Sequence, residues 1–95
     1  MKIYIAGPMT GYEHWNFPAF HAMAKKLRDE GHEVVNPAEI NPDTSIPWAE
    51  CMKMDIAELI QCDAIKLLPG WERSKGASLE LHIAERLEMQ VLYEH

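Results

Sequence analysis

Two carboxylates stand at positions where the helical pattern calls for apolar side chains. On a period of 3.6 residues, Glu80 falls in the middle of an apolar stripe that begins at Gly76. Asp55 lies on or beside the apolar stripe of an earlier helix. An unpaired carboxylate that faces a core costs several kcal/mol, so it is paired, protonated or at the mouth of a site. The alternative is a helix-edge Glu80 bonded to a backbone N–H or a lysine.

The start of the helix that carries Glu80 favours a site. Ser74 is a good N-cap, Gly76 permits close approach, and the free N–H groups of a first helical turn attract anions. An anion site one turn before a buried carboxylate is typical of a reaction centre. Two carboxylates beside it suit cleavage of a glycosidic bond, in which one attacks the sugar carbon and the other protonates or orients the leaving group. Ser74 as a plain N-cap is the simpler alternative.

Length and charge limit the partners of this chain. Its 95 residues predict a single domain, 1–95, with one modest core. The net charge of -6 argues against a nucleic-acid polymer, because phosphate neutralisation needs clustered lysine and arginine. There is no run of 18 apolar residues and no charged-then-apolar leader, so we expect a cytoplasmic protein without a membrane partner. Cys51 and Cys62 are expected to be reduced core thiols.

Short strands alternate with helices along the chain. Strands are predicted at Lys2–Ala6, Glu33–Asn36, Asp63–Leu68 and Gln90–Tyr93, and helices at 17–30, 47–60 and 74–88, with loops at 7–16 and 37–46. This alternation predicts a flavodoxin-like (Rossmann-like) three-layer α/β sandwich with a parallel sheet in the order 2-1-3-4. In such sheets the ligand lies at the carboxyl ends of the strands, where the loops from Gly7 and Asn36 and the turn at 69–74 should meet.

Three finer expectations concern the helices. Asn16 should cap the first helix, with Pro18 in its first turn. The inward residues of the second helix should be Met52, Ile56, Leu59 and Ile60, and those of the third should be Gly76, Ala77, Ile83, Ala84 and Leu87.

Three motifs together resemble a known superfamily. They are Tyr4-Ile5-Ala6-Gly7-Pro8, then Asp55 followed eight residues later by Asp63, then Ser74-x-Gly76-x-x-x-Glu80. Their order and spacing are similar to those of the nucleoside deoxyribosyltransferases and deoxynucleoside monophosphate N-glycosidases. The chain is most similar to small phage and bacterial members of that superfamily that have no assigned activity.

The resemblance implies a set of roles. Glu80 would be the nucleophile that forms a glycosyl-enzyme ester, Asp55 would contact the deoxyribose or the base, and Tyr4 would orient Glu80. Ser74 and the amides near Gly76 would hold a phosphate. Further substrate contacts are expected from Gly7, Pro8, Met9, Gly11 and Trp71. Tyr4 and Trp71 could instead be packing residues.

Several alternatives stay open at this point. Pro8 is similar to the transferases and Ser74 to the monophosphate hydrolases, so hydrolysis and transfer, and nucleoside and monophosphate, are all compatible with the chain. A non-catalytic nucleotide-binding module is the rival to an enzyme. No cofactor is expected, and no metal, because His14, His21, His32, His82 and His95 are dispersed. Trp15, Phe17 and Trp48 lie where core contacts are few, so we expect a homodimer or larger with at least one of them at the interface.

Overall fold

The centre of the molecule is a parallel sheet of four strands. A computed structural model describes residues 1–94. The strands are β1 (Lys2–Ala6), β2 (Glu33–Val35), β3 (Ala64–Leu67) and β4 (Gln90–Tyr93). They pair in the order β2-β1-β3-β4, and every pairing is parallel. The predicted flavodoxin-like fold and its strand order 2-1-3-4 are confirmed.

Helices follow each of the first three strands. They are α1 (Phe17–Asp29), α2 (Pro37–Ile40), α3 (Trp48–Leu59) and α4 (Lys75–Arg86), with a left-handed turn at Glu13–Asn16 and a single 3₁₀ turn at Trp71–Arg73. Helix α4 begins directly after Ser74, where its N-cap was predicted, and the Ser74 hydroxyl accepts a hydrogen bond from the Ala77 amide.

Side-chain alternation along the strands divides the core into two layers. Ile3 and Ile5 of β1 pack with the buried face of α1, and Tyr4 and Ala6 pack with residues of α3 and α4. Tyr4 therefore points toward the side of the sheet that carries α4, which is the side on which Glu80 lies.

The predicted loop at 37–46 contains a helix, and this part of the prediction was wrong. The side chain of Asn36 accepts a hydrogen bond from the Ala38 amide at 3.0 Å, and Pro37 occupies the first turn. An asparagine N-cap followed by proline is a helix start signal. Helix α2 has four residues, which is too short for an apolar period to show in the sequence.

Asn16 does not cap α1 through its side chain, contrary to the prediction. Its backbone is left-handed, with φ of 60°, and its side-chain amide donates instead to the carbonyl oxygen of Pro8 at 2.9 Å. Pro18 does lie in the first turn of α1. The bond from Asn16 ties the start of this helix to the loop that follows β1.

Two residues predicted to face inward are exposed. Ile60 is 54% exposed and Leu87 is 55% exposed. Each is the residue at which its helix ends, so the chain turns away from the sheet there and the helical period no longer applies. Leu81 supplies buried surface on α4 that the predicted stripe did not include.

Candidate active site

A cavity of about 920 Å³ opens at the carboxyl ends of the strands. It is formed by the loop after β1, the segment that leads into α3, and the start of α4. Most of the predicted site residues line it, namely Tyr4, Gly7, Pro8, Met9, Asp55, Ser74, Gly76 and Glu80. Gly11 lies between two lining residues, Thr10 and Tyr12, and Trp71 is not part of the lining.

Glu80 is buried at the floor of this arrangement. Its side chain is 5% exposed, and its Oε2 accepts a hydrogen bond from the Tyr4 hydroxyl. The pKa of Glu80 is raised to about 8, chiefly by burial and to a smaller extent by the charge of Asp55, while the bond from Tyr4 partly offsets the rise. The pKa of Tyr4 lies well above its ordinary value, first because of burial and then because of the Glu80 charge. The phenol therefore stays protonated and remains a donor to Glu80.

Asp55 is the second carboxyl group on the cavity. Burial raises its pKa to about 6. Its Oδ1 is buried and has no hydrogen-bond partner among residues 1–94, so a buried acceptor is left for a ligand to satisfy. The two carboxyl groups differ in pKa because Glu80 is the more deeply buried. Near pH 7 Asp55 is therefore mostly ionised while Glu80 is mostly protonated.

Two cations flank the N-cap of α4. Arg73 and Lys75 stand on either side of Ser74, and all three line the cavity. The Lys75 Nζ lies 4.4 Å from the centroid of the Trp48 ring, which is a cation–π contact. A Cβ at Gly76 would lie 3.2 Å from the Met52 Sδ, so glycine lets the start of α4 approach α3 closely. The Ser74 hydroxyl serves as an N-cap, and its predicted role toward a phosphate stays a prediction.

The loop after β1 is held against the turn that follows β3. A Cβ on Gly7 would come within 2.8 Å of the Leu68 Cβ, so only glycine fits between the two segments. A Cβ on Gly70 would lie 2.6 Å from the Tyr12 hydroxyl, which places the phenol of Tyr12 directly over this turn. The two loops thus meet at Gly7 and Tyr12, which line the cavity.

Sequence reasoning missed a left-handed turn in this loop. Three successive residues other than glycine have positive φ: His14 at 51°, Trp15 at 56° and Asn16 at 60°. This conformation costs roughly 1–2 kcal/mol per residue, and it is unusual for a side chain as bulky as tryptophan. Asparagine tolerates it, but no glycine marks the other two positions, so the sequence carries no clear signal for the turn.

The predicted base contact Trp71 lies elsewhere. Its ring centroid is 6.1 Å from that of Tyr93, and its side chain packs against the core layer under α4. This is the packing role that was the alternative for Trp71. Three exposed aromatic residues line the cavity instead, and their exposed fractions are similar to one another: Tyr12, Trp15 and Trp48.

Cys51 is half-buried on the cavity wall, and its Sγ accepts a hydrogen bond from the Asn41 side-chain amide at 2.8 Å. Burial raises the pKa of Cys51, which disfavours the reactive thiolate. Within residues 1–94 no group of three or more histidine, cysteine, aspartate and glutamate side chains could hold a metal ion, and His95 lies outside the described residues. Nor does the described part of the chain contain a helix that is long and apolar enough to cross a bilayer.

The relation of this chain to known proteins rests on a family match and on a structural similarity. The model of a family described as "Domain of unknown function (DUF4406)" matches residues 1–93. The chain belongs to this family. No curated protein matches the chain.

Among solved structures, the fold of this DUF4406 domain is similar to that of a 2-desoxiribosyltransferase from Leishmania mexicana, with a TM-score of 0.74 and 22% sequence identity. The match covers 97% of the domain and 62% of the Leishmania chain, so the domain spans less than two thirds of that protein's length. The resemblance to the deoxyribosyltransferase superfamily is thereby confirmed at the level of the fold.

Proposed function

We propose that this domain cleaves or transfers the N-glycosidic bond of a deoxynucleoside or its monophosphate, with Glu80 as the nucleophile. The observation that carries the proposal is the buried Glu80 carboxyl group, which lines the cavity and accepts a hydrogen bond from Tyr4. Burying a carboxylate is costly to the fold, so a buried carboxyl group that lines a cavity is a candidate for a functional group. The fold shared with a 2-desoxiribosyltransferase supports the same chemistry.

The proposed reaction forms an ester and releases a base. An oxygen of ionised Glu80 bonds to the anomeric carbon while the N-glycosidic bond breaks and its electron pair leaves with the base. The departing base takes up a proton from water or from the protonated fraction of Asp55, whose pKa is about 6, and the Asp55 carboxyl group would also contact the sugar. Water then hydrolyses the ester, or a second base takes the sugar. The first outcome is hydrolysis and the second is transfer.

Only the ionised form of Glu80 can attack. With a pKa of about 8, roughly a tenth of Glu80 is ionised at pH 7. The positive charge that develops on the sugar in the transition state favours the carboxylate, and the hydrogen bond from Tyr4 favours it as well. Base release should therefore become faster as the pH rises toward 8.

The test is base release from a panel of deoxynucleosides and their 5′-monophosphates, with and without a free acceptor base. Glu80→Gln keeps the shape of the side chain and removes the nucleophile, so the rate should fall by roughly a thousandfold or more. Glu85→Gln is the matched control because Glu85 is an exposed carboxylate on the same helix, and it should retain the wild-type rate. A Glu80→Gln protein that works at near the wild-type rate would show that the nucleophile is another group.

A non-catalytic nucleotide-binding module is the second candidate. The raised pKa of Glu80 favours it in one respect, since a mostly neutral carboxyl group does not repel an anionic ligand at pH 7. Arg73 and Lys75 at the cavity add positive charge. Under this alternative the wild-type protein binds a nucleotide, measurable by calorimetry, but releases no base from any member of the panel.

A further inference from the structure

The three tryptophans of this chain differ in what covers their rings. Trp71 is paired with the ring of Tyr93, and Trp48 carries the Lys75 ammonium group over its face. Among residues 1–94, Trp15 has no ring or cation partner, although it lines the cavity and is 41% exposed. It is thus the tryptophan on the cavity whose ring is paired with neither another ring nor a cation, which makes it a candidate to receive a planar ligand.

The backbone holds Trp15 in an unfavourable conformation. It is the middle residue of the left-handed turn of His14, Trp15 and Asn16. Strained conformations of this kind persist where the surroundings enforce them, and they cluster at ligand clamps. An exposed tryptophan makes few core contacts that could require the strain, so its position toward the cavity is the feature that the turn maintains.

Three contacts enforce the turn from both sides. The Trp15 amide donates to the carbonyl of Tyr12 at 3.0 Å, and the Tyr12 amide donates to that of Met9 at 3.1 Å. The Asn16 side chain bonds to the Pro8 carbonyl at 2.9 Å. The turn is therefore tied to the part of the loop that itself forms the cavity wall.

We infer that Trp15 is a substrate-binding residue that stacks on the base of the substrate. This inference rests on the proposed function for the identity of the ligand, a deoxynucleoside. A base presents a flat π face whatever its edge carries, and an aromatic side chain that stacks on one increases affinity by roughly ten- to a hundredfold. Trp15 thereby takes the role that the sequence pattern suggested for Trp71.

The experiment uses the full chain with Glu80→Gln, so that bound ligand is not consumed. Calorimetry with deoxyadenosine, deoxyguanosine, deoxycytidine and thymidine measures affinity in this parent and in two further variants. Trp15→Leu keeps apolar bulk without a π face and should weaken binding at least tenfold. Trp15→Phe keeps the ring and should remain within about threefold of the parent. Both substitutions are at an exposed position, and far-ultraviolet circular dichroism checks that the fold is intact.

Tryptophan fluorescence supplies a readout that a merely structural role would not change. Saturating ligand should quench emission in the parent, because the base covers Trp15, and the quenching should be much smaller in Trp15→Phe, where Trp48 is the tryptophan left on the cavity, although calorimetry still records binding. Unchanged quenching in Trp15→Phe, or an affinity of Trp15→Leu within twofold of the parent, would overturn the inference.

The outcomes separate this inference from the proposed function. If wild-type protein releases base but Trp15→Leu binds normally, the stacking role fails and the reaction stands. If Trp15 governs binding but wild-type protein releases no base, the reaction fails and the stacking role stands. If neither the four deoxynucleosides nor their 5′-monophosphates bind at millimolar concentration, both are wrong.

Discussion

The burial of Glu80 makes the stability of the fold depend on pH. Its ordinary pKa of 4.5 applies to the unfolded chain, and the folded value is about 8. Below pH 4.5 both states hold the proton; between 4.5 and 8 the unfolded state loses it first, so the free energy of unfolding decreases as the pH rises. Above pH 8 both states are ionised and the decrease is complete.

We therefore predict that Glu80→Gln gains stability relative to wild type as the pH increases. Between pH 5 and pH 9 the gain should be on the order of 4 kcal/mol, since about three pH units of that range separate the two ionisations. Urea unfolding at several pH values measures it. The free energy of unfolding of Glu85→Gln should change with pH in parallel with that of wild type. If the curve for Glu80→Gln were also parallel, Glu80 would titrate normally in the folded protein. Asp55 makes the free energy of unfolding depend on pH below about 6 in all three proteins. This contribution cancels when each variant is compared with wild type.

The Tyr4 hydroxyl has a separable role, because it stabilises the ionised form of Glu80 without reacting. Tyr4→Phe should raise the pKa of Glu80 beyond about 8 and lower base release at pH 7 by roughly ten- to a hundredfold. The diagnostic is a pH–rate profile, in which the rising limb should shift to higher pH and part of the lost rate should return there. An unchanged profile would mean that Tyr4 only fills space, and a uniform loss at all pH values would mean that its hydroxyl does not act through the pKa of Glu80.

At the scale of secondary-structure elements, two glycines permit close approaches of different kinds. An alanine Cβ at Gly7 would lie 2.8 Å from the Leu68 Cβ, an atom fixed to the backbone of the segment after β3. At Gly76 it would lie 3.2 Å from the Met52 Sδ, part of a flexible thioether that can move a few tenths of an ångström. The first contact requires a shift of the backbone, whereas the second requires only a change of side-chain torsion.

Gly7→Ala should therefore destabilise the domain by roughly 1–3 kcal/mol, and Gly76→Ala should change stability by less than about 1 kcal/mol. Thermal unfolding of the two variants beside wild type gives the comparison. Equal destabilisation by both would show that α4 is held as rigidly against α3 as the two loops are against each other.

The sequence was most informative about elements that bury regular faces. The four strands and the start of α4 followed from apolar runs and from the Ser74 cap, and Glu80 was conspicuous because it interrupts an apolar stripe. Ile60 and Leu87 were misassigned because periodicity does not reveal where a helix leaves the sheet. Helix boundaries depend on tertiary contacts that a pattern does not contain.

The wall of the cavity formed by the loop after β1 was much harder to predict. The left-handed turn that presents Trp15 depends on the bond between the Asn16 side chain and the Pro8 carbonyl, a contact across eight residues that follows no regular period. Trp71 was a reasonable candidate for base stacking from its place after a Pro-Gly turn, but its partner Tyr93 is distant in sequence. In both cases the neighbours of the side chain are set by the folded chain.

At the scale of the whole molecule, the aromatic residues around the cavity bear on association. Trp15 and Trp48 are 41% and 42% exposed, while Phe17 is partly buried and packs against the core layer under α1. Exposed tryptophans in a domain of this size favour a surface that another molecule covers. A homodimer or larger assembly remains our prediction, with Trp48 as the residue of the three best placed for the interface, because Trp15 is assigned to the ligand.

Sedimentation at tens of micromolar should show a dimer, since an interface of roughly 1,200–2,000 Å² holds together at that concentration. Trp48→Glu should shift the protein to monomer, because it places a charge in the contact and removes the largest apolar side chain from it. Met54→Glu is the matched control: Met54 is also exposed on α3, but six residues along the helix it points in a different direction, so this variant should stay dimeric. A wild-type monomer at this concentration would contradict the prediction, and loss of the dimer in both variants would place the interface along α3 as a whole.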